Sequence, residues 1–183
     1  MKQNLYLLTS ALIISALFSC NFSSEPKEIT VENKYKIVVP GYMRSRNSLN
    51  EDASLVYINA MKEVYVMVID ENRESIDRFI EDNDWEDEYT TDFDGYCQLV
   101  CRQDGEYFLT PDDYKKLQDG TINGLKARFF ENTRMINNIK AYYTLALIEG
   151  EDTYYQVIAW TLPDRINKYK DTLENMIRSF EEL

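Results

Sequence analysis

The chain has 183 residues, with 20 Lys and Arg against 32 Asp and Glu, a formal net charge of −12, and no histidine. That length suffices for one domain with a substantial core, and an acidic chain without a basic stripe argues against a nucleic-acid partner. The missing histidine removes Ser-His triads, Cys-His dyads and histidine-ligated zinc or iron sites; no P-loop, dinucleotide-binding or nucleophile-elbow pattern occurs, and no cofactor is implied.

Residues 1–19 read as a targeting segment rather than part of the fold. Lys2 is its only charge, and the apolar run over 5–18 is shorter than the ~20 residues a membrane span needs. Leu17-Phe18-Ser19-Cys20 resembles the lipobox of bacterial lipoproteins, with Phe18 bulkier than the usual pattern. The resemblance implies a signal peptide removed before Cys20 and diacylglycerol on the Cys20 thiol. The protein would then sit in the bacterial cell envelope, held to a membrane by its lipid. A plain secreted protein or an uncleaved anchor is the other reading. Residues 20–32 are polar, carry Pro26 and charges, and read as a flexible tether.

A single domain is expected over 33–183. Tyr35, Ile37 and Val39 open it as a strand, closed by Pro40-Gly41. A polar loop follows over 42–52. Residues 55–59 and 63–70 pattern as two strands, joined tightly by Ala60-Met61-Lys62 into a hairpin. Ile76, Phe79 and Ile80 mark a short helix over 72–83. Phe93, Tyr96, Cys97, Val100 and Cys101 recur at helical spacing, predicting an amphipathic helix over 92–103 stopped by Gly105. Thr110-Pro111-Asp112-Asp113 carries the cap, first-turn proline and acids of a helix start, with Gly120 ending that helix.

The C-terminal third organises the rest. Segments 122–133, 138–149 and 153–162 alternate with period two and predict two consecutive β-hairpins. Apolar residues fall on both faces of the last two, so the sheet is expected to be covered on both sides. The half-polar face of the first, with Lys126 and Arg128, places it nearer the edge. Ile166, Tyr169, Leu173, Met176, Ile177 and Phe180 form one stripe of a closing helix over 163–180, with Thr161 as its cap.

The expected fold class is therefore α+β, a central antiparallel sheet with helices on both faces. The strings Tyr35-Lys36-Ile37-Val38-Val39-Pro40, Asp94-Gly95-Tyr96, Thr121-Ile122-Asn123-Gly124 and Arg178-Ser179-Phe180 resemble the PsbP-like α/β/α superfamily, which includes DcrB-type lipoproteins and the Ran-release-factor fold. The resemblance spans roughly 31–183. It implies an α/β/α sandwich with an accessory or partner-binding role. The metal-associated histidines of PsbP have no counterpart here, and no Ran-binding surface maps onto this chain.

Three functions stay open. The first is a non-enzymatic, lipid-anchored envelope protein that binds another protein. Tyr42, Trp85 and Tyr89 lie in predicted loops and are its candidate contact surface, with local packing as the plainer reading. The second is a module binding calcium or a glycan through the acidic loop 81–94 and nearby aromatics. That loop holds eight carboxylates, but a calcium loop begun at Asp82 would put Asp87 where glycine belongs and Phe93 where a bidentate glutamate belongs. The third is a hydrolase using two carboxylates distant in sequence. Cys97 and Cys101 read either as core thiols or as a disulfide, with i, i+4 helical spacing poorly aimed for a bridge.

Overall fold

The computed structural model describes residues 25–46, 50–102, 109–136 and 138–183. In chain order come β1 (Lys27–Val31), β2 (Tyr35–Val39), β3 (Arg44–Ser45), β4 (Ala53–Asn59) and β5 (Val64–Asn72), then α1 (Arg73–Asp82) and α2 (Phe93–Arg102). A 3-10 turn over Pro111–Lys116 leads to β6 (Gln118–Ile122), β7 (Leu125–Ile136), β8 (Ile139–Glu149) and β9 (Thr153–Thr161). A second 3-10 turn (Pro163–Arg165), α3 (Ile166–Arg178) and the short β10 (Glu181–Glu182) close the chain.

Seven strands pair antiparallel in the order β3-β4-β5-β9-β8-β7-β6, and β1-β2-β10 make a separate small sheet. β8 is buried at every residue from Ala141 to Ile148, as its two apolar faces require. On one side, Tyr35, Ile37, Val66, Ala146, Val157 and Leu173 pack α3 and the small sheet onto the large one. On the other, Val56, Phe93, Tyr96, Cys97, Leu145 and Ile158 join α2 to the opposite face. Tyr169, Leu173, Met176 and Ile177 of α3 are each at most 5% exposed. Burial of such side chains stabilises by roughly 2 kcal/mol apiece before ordering entropy is subtracted.

All three predicted hairpins form, and the fold class is the α+β sandwich expected. Four local expectations change. Residues 27–31, assigned to the tether, form β1 in register with β2, with Ile29 opposite Ile37. Ile29 and Val31 reach the core between exposed Glu28 and Thr30, an alternation too short and charged to stand out. The loop 42–52 contains β3, which pairs with β4. The helix begun at Thr110 is only the 3-10 turn, and Gly120 lies inside β6 rather than ending a helix. A Cβ on Gly120 would meet the Phe129 ring at 2.7 Å, so the glycine makes room for a cross-strand neighbour. Thr161 ends β9, fully buried, and does not cap α3, whose N-cap is Arg165. Gly105 and the targeting segment lie outside the described residues.

Candidate functional site

Trp85 and Tyr89 follow α1. Asn72 caps that helix by accepting from the Ser75 N–H at 3.1 Å, and the chain turns at Asn83 and Asp84, the latter at φ 55°. The Trp85 N–H then donates to the Ile80 carbonyl, and the Tyr89 N–H to the Trp85 carbonyl. Phe79 stands edge-on to Trp85 with centroids 5.4 Å apart, and Tyr89 lies 6.1 Å from Trp85. Arg102, at the end of α2, lays its guanidinium 3.9 Å from the Trp85 ring centre and 5.6 Å from that of Tyr89. Cation–π contact of this kind holds aromatic faces in place while leaving their edges to solvent. Phe79 is 46% exposed, and Trp85 and Tyr89 are half-buried.

Tyr42 does not join them. It packs against the core on the α3 side, where the Lys62 ammonium lies 4.9 Å above its ring and Asn59 donates to its carbonyl. The three aromatics singled out in the sequence are thus a pair and a separate residue. Phe79 and Arg102 complete the pair; Arg102 is far from Trp85 in sequence, and no periodic pattern marks their meeting.

The acidic loop divides into two chemistries. Asp92 and Asp94 are structural. Asp92 accepts from the Gly95 N–H at 2.9 Å and from Thr90 Oγ1 at 2.6 Å, starting α2. Asp94 accepts from Tyr114 Oη at 2.7 Å and Gln98 at 2.8 Å and pairs with Arg128 at 2.6 Å. The Tyr114 hydroxyl, against the opposing effect of burial and with help from Arg128, holds the Asp94 carboxyl below its ordinary range. Arg128 also bonds Asp119 at 2.9 Å, pinning α2 and the 3-10 turn to β6 and β7. Glu81, Asp82, Asp84, Glu86, Asp87 and Glu88 are exposed. Among the described residues, no three His, Cys, Asp or Glu side chains gather to hold a metal ion.

An open groove of about 700 Å³ runs between α3 and β6–β8, with Gln118, Phe129, Glu131, Thr144, Lys170 and Arg178 among its walls. Glu131 accepts from Lys170 Nζ at 2.8 Å and from Tyr142 Oη at 2.7 Å. The Lys170 hydrogen bond, then that of Tyr142, lowers the Glu131 carboxyl. Burial, reinforced by Glu131, pushes the Tyr142 hydroxyl up to about 12. Both shifts lead away from neutrality, so neither group is poised as an acid or base near pH 7. Arg178 stacks 5.2 Å over Phe129.

Cys97 and Cys101 are free thiols, both buried. Burial pushes each up to about 12, which leaves almost no thiolate at neutral pH. Cys20 lies outside the described residues.

No family model matches the sequence, and no curated protein does. Solved structures do share the fold. Cyanobacterial PsbP (CyanoP) from Synechocystis sp. PCC 6803 superposes with TM-score 0.55 and 11% identity, over 87% of this chain and 94% of that one. A crystal structure from Bacteroides thetaiotaomicron VPI-5482 gives TM-score 0.52 at 7% identity; the match covers 86% of this chain and only 48% of that one, about half its length. LpqN of Mycobacterium tuberculosis, involved in cell envelope biogenesis, gives TM-score 0.48 at 11% identity over 86% and 90% of the two chains. At these identities the likeness to CyanoP and to the Bacteroides structure shows a PsbP-like fold and nothing finer.

Proposed function

We propose that this chain is a lipid-anchored, non-enzymatic protein of the bacterial cell envelope, and that its domain binds another envelope protein through Trp85, Tyr89 and Arg102. The observation that carries the reading is the aromatic pair held by the Arg102 guanidinium at 3.9 Å. Aromatic and arginine side chains fixed in place are the anchors that protein interfaces use, because little rotamer freedom is lost on binding.

Three features support a binding role over catalysis. The chain has no histidine. The described thiols are buried and stay protonated. The groove carboxylate Glu131 is committed to Lys170 and Tyr142. Attachment through Cys20 rests on the lipobox resemblance. No helix among the described residues is long and apolar enough to cross a membrane, so in this reading the lipid is what keeps the protein at its membrane. Calcium binding by 81–94 draws no support from the geometry, since Asp92 and Asp94 are engaged within the protein.

The test is in-cell crosslinking of the full chain, followed by mass spectrometry of the captured neighbour. A specific neighbour captured by wild type and lost in a Trp85→Ala, Tyr89→Ala double variant of unchanged thermal midpoint is the expected result. Capture of the same neighbour at wild-type yield by that variant refutes the surface.

A further inference from the structure

Among the described residues five large hydrophobic side chains are exposed, and three of them share one end of the large sheet. The strand register shows this. Asn59 pairs with Val64, Val64 with Thr161, and Thr161 with Tyr142. The β4–β5 turn and the β7–β8 hairpin therefore both project past this level. Met61, at the β4–β5 turn, is 91% exposed; Met135 and Ile139, near the hairpin end, are 57% and 59% exposed. Ile139, Lys140 and Ala141 have no partner in β9, so the hairpin overhangs its neighbour by about 10 Å at three residues of strand rise.

The first described strand begins at the same end. Lys27 opens β1 opposite Val39, and its ammonium bonds the Met43 carbonyl at 3.1 Å. The adjacent Tyr42 carbonyl accepts from Asn59 beside the β4–β5 turn. From Cys20 to Lys27 is seven positions, at most about 24 Å when fully extended. A lipid on Cys20 is thus attached next to this end of the sheet, which lies nearest the anchor.

We propose that the domain rests on the phospholipid surface through this end, with Met61, Met135 and Ile139 entering the headgroup layer. The inference rests on the lipid anchor of the proposed function and adds an orientation to it. Membrane is favoured over a protein occupant by shape. The two protrusions stand three strand spacings apart, about 14 Å, and none of the three side chains lines the groove beside α3. Separate apolar tips suit a soft planar layer, whereas a protein interface needs a contiguous, complementary core. Charge agrees: Lys27, Arg44, Lys62 and Lys140 frame the tips. Of the carboxylates at this end, Glu63 accepts from the Tyr65 hydroxyl, while Glu25 and Asp164 are exposed. Cations at this position are drawn to an anionic leaflet.

The test places a diazirine-bearing amino acid at position 61, 139 or 183 of the full chain, bound to vesicles of phosphatidylethanolamine and phosphatidylglycerol. Leu183 is the control: it is 58% exposed, and its N–H bonds Lys34, whose ammonium pairs with Asp70 near the opposite end. After irradiation, intact mass reads phospholipid adducts and the state of Cys20. The expected result is lipid adducts at 61 and 139 in roughly tenfold excess over 183. Equal adduct yields at the three positions, with Cys20 lipidated, overturn the orientation and leave the anchor standing. Adducts confined to 61 and 139 on a chain whose Cys20 is unmodified uphold the contact and overturn the anchor. In cells, protein rather than lipid adducts at 61 and 139 overturn the proposal in favour of a partner at this end.

Discussion

Asp113 offers the sharpest test of how the domain is held together. Its carboxylate is fully buried. It accepts from the Thr110 N–H at 3.0 Å and Thr110 Oγ1 at 2.8 Å, from Lys116 at 3.0 Å, and from Arg134 Nη2. These bonds tie the 3-10 turn to β7. Lys116 is 59% exposed and adds little, whereas Arg134 is 21% exposed and loses its carboxylate if Asp113 goes. Breaking a buried pair from one side costs about 3–5 kcal/mol, and loss of a cap about 1 kcal/mol. Because the same carboxylate supplies both, Asp113→Asn is expected to lose about 3 kcal/mol at neutral pH. Burial alone would raise the Asp113 carboxyl, but hydrogen bonds from Lys116, Thr110 and Arg134 outweigh it and bring it below its ordinary 3.8. A carboxyl lowered on folding contributes stability that is present above 3.8 and is lost as pH falls through the folded value. The gap between wild type and Asp113→Asn should therefore narrow on acidification below that point. Urea unfolding of a chain beginning at Ser23, at about pH 7 and about pH 3, measures it. A gap of unchanged size at both pH values, or no gap at neutral pH, refutes the reasoning.

Leu173→Asp puts an unpaired charge where α3 meets the sheet at zero exposure. Loss of cooperative unfolding, or a drop of several kcal/mol, is expected in thermal melts, and a midpoint within a few degrees of wild type would show that α3 does not pack as described. Cys97 and Cys101, held up at about 12 by burial, should resist maleimide in the native protein at mildly alkaline pH and react fully in urea; native labelling at the unfolded rate contradicts their burial. Cys20→Ser should abolish incorporation of a clickable fatty acid and accumulate precursor retaining residues 1–19, while the wild type carries the label; an unlabelled wild type with its terminus elsewhere sinks the lipid anchor.

Much of the fold was legible because its information is local. β8 and β9 alternate apolar residues on both faces, and that pattern alone placed them in the middle of a covered sheet. The stripe Tyr169, Leu173, Met176 and Ile177 placed α3. The expectations that changed involve residues whose role is set by a distant neighbour. Gly120 reads locally as a helix stop, yet its missing Cβ is space for the Phe129 ring of the paired strand. β1 reads as linker because its two apolar residues gain a core only when β2 is beside them. Thr161 looks like a cap by composition, but hydrogen-bonded register with Val64 and Tyr142 claims it for β9.

The surfaces escape sequence reading for the same reason carried further. Trp85 and Tyr89 are visible as loop aromatics, but what makes them a platform is Arg102, which arrives only because α2 runs back alongside them. Met61 lies in one turn and Ile139 opens the strand after another, and antiparallel register alone brings those two turns to one end. β1 then changes the meaning of the N-terminal segment. By extending the domain to Lys27, it leaves seven positions rather than thirteen between Cys20 and the start of the fold. A thirteen-residue tether could span up to about 45 Å and leave the domain free to turn; a seven-residue one spans about half that. Under the proposed lipid anchor, the pairing of β1 in the small sheet therefore favours contact through the end of the domain at which Lys27 sits.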